Sequence, residues 1–408
     1  MRAACITGYG LVSPLGQALE AFDDALFAGR SAVRAEPLVL PGADPARPAL
    51  ARCGFDSAGV QAPSRLPLDR GSAMALAAAD AAMQAAGLGA GSVDGDRFGL
   101  YWGSGMGGAA TFDAICRSVY GEQRRIRPTA VVTAMPNAPL AELALRLGTR
   151  GAAMGYACAC ASAAVAIGEA LRALRDGRLD VALVGGSEAL LSPGVIGAWQ
   201  AMRVLAPVAA GDDGAAACRP FAADRSGFAL GEGAAALVLE TPAHARARGA
   251  TWRTELSGYA SNCDAQHITQ PDPAGQARAM NAALRDAGLA AADVGHVNAH
   301  GTATTAGDAA ESESLRRVFG AAPPAVSATK AIVGHLLGAG GALELVAMLR
   351  ALERRAAPPT GAVARADAAF EIDLVCGQAR ALPGLRHAMS NSFAFGGTNA
   401  VLIASRAA

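Results

Sequence analysis

The chain has 408 residues, 52% of them apolar and 17% charged, a composition that supports an extensive buried core and excludes a disordered protein. Lysine plus arginine and aspartate plus glutamate both total 35, so the formal charge is zero, and any charged partner must dock on a local patch rather than be drawn to the whole molecule. The 8 cysteines follow no disulfide-framework spacing, which fits a reducing, cytoplasmic setting.

From the N-terminus, residues 3–19 are uncharged, but Gly8, Gly10 and Pro14 break the helical core that a signal peptide needs, so the stretch reads as a buried strand and loop. Short apolar runs at 5–7, 98–102, 181–184 and 235–239 read as strands. Alanine-rich segments at 72–86 and 167–175 carry helical spacing. The alternation predicts mixed α/β layers around buried, largely parallel strands, punctuated by glycine turns at 103–108, 185–186, 338–341 and 396–397.

The first glycine loop, Gly103-Ser104-Gly105-Met106-Gly107-Gly108, fits the G-x-G-x-x-G dinucleotide template. No second strand ending in an acidic residue follows it; basic Arg124, Arg125 and Arg127 do, so the loop reads as a tight turn beside a pocket. The uncharged stretch 151–168 just reaches membrane-span length, yet its alanine, glycine, cysteine and serine are too weakly apolar to span. Residues 151–160 read as loop or strand and 161–175 as a helix closed by Asp176 and Gly177, placing Cys160 at a helix N-terminus. Unpaired N–H groups and the helix dipole there are expected to stabilise a thiolate. Cys158, in the preceding extended segment, reads as a small buried hydrophobe. Cys158 and Cys160 have no second Cys or His pair at ligand spacing, so no metal is expected.

The polar stretch 241–254 near the middle of the chain marks a division into two halves. His300 follows the apolar-leaning run 294–299 and opens into a loop carrying Thr302 and Thr304; His335 lies between Gly334 and a helix-forming run from Leu336. Lys330 and Glu344 are the sole charges between Arg317 and Arg350, and charges of opposite sign in an apolar setting are expected to pair. Residues 391–399 form an aromatic-glycine loop around Phe395 before a final strand at 400–404.

With these segments assembled, the chain resembles the elongating β-ketoacyl-acyl carrier protein synthases, ketosynthases of type II/I in the thiolase superfamily. The matches run nearly end to end: residues 6–16 (ITGYGLVSPLG), Ala159-Cys160-Ala161-Ser162, Asn298-Ala299-His300-Gly301-Thr302, 330–341 and 391–399. The resemblance implies an α/β thiolase-like fold, five αβαβα layers in two duplicated halves: 1–245 with the nucleophile, 246–408 with two catalytic histidines and the gating loop. It implies that Cys160 takes an acyl group as a thioester and that His300 and His335 hold the malonyl thioester carbonyl. Phe395 would serve the oxyanion hole and the gate, Thr302 and Thr304 would grip phosphopantetheine, and Lys330 and Glu344 would support the histidines. Met106 would line the acyl pocket, and Arg65, Arg203, Arg124 and Arg127 would dock an acidic carrier protein.

No cofactor is expected beyond the phosphopantetheine that carries the substrates. A homodimer is expected, with a heterodimer containing a second ketosynthase-like subunit as the other assembly. A non-catalytic chain-length partner is the alternative role, although such partners lack the nucleophile. Two residues depart from the family pattern: Ala163 after the nucleophile motif and Ala394 before Phe395, where the usual glycine would reach positive φ more easily.

Overall fold

The computed structural model describes residues 3–40, 46–89 and 91–407. Its central feature is an 11-stranded sheet. In chain order the strands are β1 (Ala4–Val12), β2 (Phe98–Gly103), β3 (Ala153–Tyr156), β4 (Val181–Glu188), β5 (Gly233–Glu240), β6 (Thr254–Cys263), β7 (Val294–Asn298), β8 (Ala325–Ser327), β9 (Asp373–Leu374), β10 (His387–Phe393) and β11 (Thr398–Arg406). Across the sheet they run β9-β8-β7-β10-β11-β6-β1-β5-β4-β2-β3.

One topology occurs twice in that order. In the first half β1 pairs antiparallel with β5, β5 antiparallel with β4, and β4, β2 and β3 run parallel. In the second half β6, β11, β10, β7 and β8 repeat the same sequence of orientations. The halves join where β1 meets β6 through Cys5 opposite Glu255. Residues of β4 and β5 are buried on both faces, which is why these strands read as continuous apolar runs rather than as alternating ones.

Helices complete five layers. On one outer face α1 (Arg70–Ala85) lies on β1 and β5; on the other, α3 (Pro273–Ala287) lies on β6 and β11 with α4 (Thr305–Phe319) beside it. Between the two halves of the sheet pack α2 (Ser162–Arg175) and α5 (Gly340–Arg354), burying Ile167, Leu171, Leu343, Val346 and Leu349 in one core. The helices approach closely because the strands supply glycine: a Cβ at Gly10 would stand 2.4 Å from Ala78 O of α1, and one at Gly258 would stand 2.7 Å from Ala283 O of α3. This is the thiolase-like αβαβα arrangement.

Three local expectations are revised. Gly185 and Gly186 lie inside β4, not in a turn, because a Cβ at Gly185 would meet Ala235 O at 2.1 Å across the β4–β5 pair. The helix expected from Leu336 starts at Gly340, after a short turn at Leu337–Ala339. The polar division at 241–254 contains a helix of its own, Pro242–Ala247, capped by the Thr241 hydroxyl.

Candidate active site

The segments that follow β6, β7 and β10, the N-terminal end of α4 and the turns ahead of α2 and α5 line one cavity of about 330 Å³. Cys160, His300 and His335 lie on its wall together with Trp199, Thr302 and Phe395. Cys160 sits in a one-turn segment, Ala159–Ala161, just ahead of α2. Ser162 pins that turn: its hydroxyl donates to Ala159 O at 2.7 Å and accepts from Cys158 N–H at 2.9 Å. Ala159 is held at φ 46°, a left-handed conformation that a non-glycine residue adopts only under constraint.

His300 follows β7 and is held from behind. Its backbone N–H and that of Gly301 donate to the two oxygens of Glu311, each at 2.8 Å. Lys330 donates to His300 O at 2.6 Å, stands 3.4 Å from His300 Nδ1 and pairs with Glu344 in a buried ion pair. An ammonium has donors and no acceptor, so Nδ1 accepts and the proton sits on Nε2. His335 follows Gly334, and its backbone is threaded between Ala229 O, which accepts its N–H at 2.7 Å, and Gly231 N, which donates to its carbonyl at 2.9 Å. The two imidazoles meet edge to face with centroids 5.5 Å apart, and Phe228 stands edge-on to His335 at 5.1 Å.

His335 Nε2 lies 3.0 Å from Cys160 Sγ. Burial pushes the thiol up to about 12, with Glu344 and Glu188 adding to the effect and Lys330 opposing it. Both histidines are held well below the ordinary range by burial and then by Lys330. The pair at rest is therefore a thiol and a neutral imidazole, not the dipole-stabilised thiolate expected from the helix N-terminus. Cys160 precedes the helix and is 7% exposed, so desolvation outweighs the peptide dipoles.

The Phe395 ring stacks on Trp199 with centroids 6.2 Å apart and a 20° interplanar angle. Its N–H has no hydrogen-bond partner among the described residues. The positive φ angles of this loop fall at Gly396 and Gly397, 86° and 79°, so Ala394 adopts an ordinary conformation and donates its N–H to Thr398 O. The Thr302 and Thr304 hydroxyls are 2.9 Å apart on the cavity wall.

Family models for the β-ketoacyl synthase N-terminal domain and the β-ketoacyl synthase C-terminal domain match residues 1–245 and 253–364. The chain belongs to the β-ketoacyl synthase family. Nodulation protein E of Rhizobium meliloti is 42% identical over 337 residues, 82% of each chain. The 3-oxoacyl-[acyl-carrier-protein] synthase 2 of Staphylococcus aureus (strain COL) is 38% identical over 341 residues, 82% of this chain and 81% of its own. A type II polyketide acyl carrier protein in complex with its ketosynthase, bound to the hexaketide, matches with a TM-score of 0.90, 28% identity and full coverage of both chains. This β-ketoacyl synthase is accordingly an acyltransferase of the 3-oxoacyl-acyl carrier protein synthase class, acting in fatty acid or polyketide chain elongation.

Several predicted site residues lie elsewhere on the synthase. Met106 does not line the cavity: it is 41% exposed, because the glycine loop folds its backbone inward onto Glu188. Arg203 is exposed between Met202 and Val204, which both line the cavity. Arg65, Arg124, Arg125 and Arg127 are exposed and none lines it; Arg124 pairs with Glu122 at 3.2 Å.

Sequence reasoning missed the buried carboxylates Glu188 and Glu311 and the rings of Trp199 and Phe228. Glu188 is the sole charge between Asp180 and Arg203, the same signal that singled out Lys330 and Glu344. The ligand atoms of Cys160, His300 and His335 lie within 4.8 Å of one another, a set that could hold a soft cation. The Lys330 ammonium behind His300 works against one, since it keeps a proton rather than a lone pair on Nε2.

Proposed function

We propose that this chain elongates acyl groups on an acyl carrier protein by decarboxylative condensation, with Cys160 as nucleophile, His335 as the neutral base that takes its proton and His300 as a neutral donor. The observation that carries the reading is the 3.0 Å contact between Cys160 Sγ and His335 Nε2, with His300 beside it in the protonation state that Lys330 imposes. In the first half-reaction the sulfur attacks the acyl thioester of the carrier's phosphopantetheine. The Cys160 proton passes to His335 and then to the departing pantetheine sulfur, so a buried thiol can react without resting as a thiolate. Acyl transfer leaves Cys160 as a thioester.

Malonyl-carrier then binds with its thioester carbonyl at His300, whose Nε2 keeps its proton because Lys330 faces Nδ1. The carboxylate leaves as CO₂, and its electron pair forms an enolate whose oxygen is held by that N–H. Neutral imidazoles suit this step, because a carboxylate would repel the developing charge. The carbanion attacks the Cys160 carbonyl, carbon–sulfur cleavage releases the Cys160 thiolate, and that sulfur takes up a proton from water relayed through His335. The tetrahedral oxyanion would lie between the N–H groups of Cys160 and Phe395, a donor of this kind being worth about 3–4 kcal/mol in acyl transfer. Thr302 and Thr304 would take the polar pantetheine arm, and Arg203 would meet the acidic carrier protein at the rim.

The functional unit we infer is a homodimer. The edge strand β3 is exposed, with Met154 46% accessible, and an open apolar edge invites a second copy. The chain-length-partner alternative is disfavoured by the intact nucleophile. All 8 cysteines are free, in keeping with a reducing, cytoplasmic setting, and among the described residues no helix is long and apolar enough to cross a membrane. The test is mass spectrometry of Cys160 after incubation with a mixed acyl-carrier pool: acyl adducts are expected on that cysteine, removed by malonyl-carrier with release of CO₂. Labelling of another residue, or a stable adduct that malonyl-carrier leaves in place, would overturn the assignment.

A further inference from the structure

Each catalytic histidine is carried by a backbone segment, and one of these segments is visibly anchored by a buried carboxylate: Glu311 takes the N–H groups of His300 and Gly301. The segment of His335 has a counterpart. Glu188, the last residue of β4 and 1% exposed, accepts from Gly338 N at 3.0 Å, three residues past His335. The same carboxylate accepts from Gly105 N at 2.6 Å, Met106 N at 3.2 Å and the Ser104 hydroxyl at 3.1 Å. Four donors from two distant segments thus converge on one carboxylate, and no Lys, Arg or His pairs with it among the described residues. The anion in the glycine loop, where the dinucleotide template would put a phosphate, is the protein's own.

The contact is close enough to set position. A Cβ at Gly338 would stand 2.0 Å from Gly105 N and 2.6 Å from Glu188 Oε2, so the two backbones can meet there only through glycine. Leu337, the preceding residue, is held at φ 44° and lines the cavity beside Cys160. A strained residue persists where its surroundings over-determine it, and Glu188 supplies the restraint on one side.

We propose that Glu188 is a positioning residue for the condensation, clamping the 104–106 loop to the 337–338 turn and so holding His335 against Cys160. The inference rests on the catalytic reading given above. It also carries an electrostatic signature: Glu188 is one of three charged groups that act on the thiol, with Lys330 opposing and Glu344 and Glu188 favouring the protonated form. Burial raises the Glu188 carboxyl to about 7 even with its four donors, in keeping with the absence of a neutralising cation.

The substitution Glu188→Gln keeps shape and volume but turns one acceptor into a donor facing N–H groups. Condensation kcat is expected to fall by about 10- to 100-fold, as for other outer-shell groups that orient catalytic residues, with KM for the acyl-carrier substrate within about twofold of wild type. Cys160 alkylation by iodoacetamide should change the opposite way, its rate at a fixed pH of about 9 rising several-fold because a buried negative charge has gone. Slower condensation beside an easier thiolate is a combination that simple loosening of the fold would not produce. Should Glu188→Gln not fold, Ser104→Ala removes one donor and retains the carboxylate; a several-fold fall in kcat at unchanged KM is expected. Wild-type kcat in the variant that folds, or an alkylation rate at a pH of about 9 unchanged in Glu188→Gln, overturns the proposal. Absence of condensation in the wild-type enzyme would instead defeat the catalytic reading, and the alkylation rate separates the two failures because it needs no substrate.

Discussion

His335 Nε2 and Cys160 Sγ share one hydrogen-bond contact at 3.0 Å, inside a site where burial favours the uncharged form of both partners. The thiol titrates upward, to about 12, so its protonated form dominates at every pH below that value. Iodoacetamide alkylation of Cys160 in the free enzyme should therefore climb by about tenfold per pH unit from 7 to 10 without levelling, whereas an ordinary thiol levels above about 8.5. A plateau reached by pH 8 would mean that an imidazolium–thiolate pair exists at rest and would remove the proton-transfer step assigned to His335.

The two imidazoles have separable tasks because just one of them is bonded to sulfur. His335→Ala should slow acylation of Cys160 by about 10²- to 10⁴-fold, the usual worth of a positioned acid–base group. His300→Ala, whose ring meets His335 edge-on, should leave acylation within a few-fold and instead depress release of labelled CO₂ from malonyl-carrier. Equal losses in both assays for both variants would indicate that the pair acts as one unit.

Lys330 and Glu344 are both almost fully buried, so their pair is costly to break and cheap to delete together. Lys330→Met leaves an unpaired carboxylate and should destabilise the enzyme by about 3–5 kcal/mol, read by chemical denaturation. Lys330→Met combined with Glu344→Leu should recover most of that stability. It should not recover condensation, because His300 then loses the ammonium that fixes its tautomer. Full activity in the double variant would show that the pair serves stability alone.

Cys160, His300 and His335 stand at element boundaries marked by glycines and by changes of periodicity, so short-range pattern exposes them. The Lys330–Glu344 pair was legible because an isolated charge in an apolar run has few explanations. The same argument applies to Glu188, the sole charge between Asp180 and Arg203. Trp199 against Phe395, 196 positions apart, and the meeting of Gly105 with Gly338 are products of the duplicated topology, which brings strand ends from both halves to one point. The rest state of the thiol departs from the sequence expectation for an energetic reason: helix dipoles are visible in a sequence, whereas the desolvation that overrides them depends on packing around Cys160.

Arg203, its backbone at φ 58° between two cavity-lining residues, is exposed, and no ion pair with another described residue competes for its guanidinium. An acidic carrier arriving at the rim would meet it before the pantetheine arm descends. Arg203→Glu should raise KM for carrier-bound acyl substrate by about 5- to 20-fold, an interfacial charge reversal of roughly 1–2 kcal/mol, and the difference should shrink with added salt. Small acyl thioesters lacking the carrier should be turned over as before. A matching loss with the small substrates would place the effect inside the cavity.

Met106 offers the last test, because its location in a single chain and its expected role differ. With 41% of its surface accessible and no place on the cavity wall, it can bound an acyl chain only if a second copy closes over that face. The exposed strand β3 beside β2, with Met154 outward, is where such a copy would seat. Met154→Lys puts a charge on that edge and should convert a dimer into a monomer by light scattering. In the dimer, Met106→Gly should lengthen the longest acyl chain trapped on Cys160; with Met154→Lys added, the gain should vanish together with the wall that Met106 formed. Chain lengthening that persists in a demonstrated monomer would mean that Met106 reaches the cavity from within its own chain.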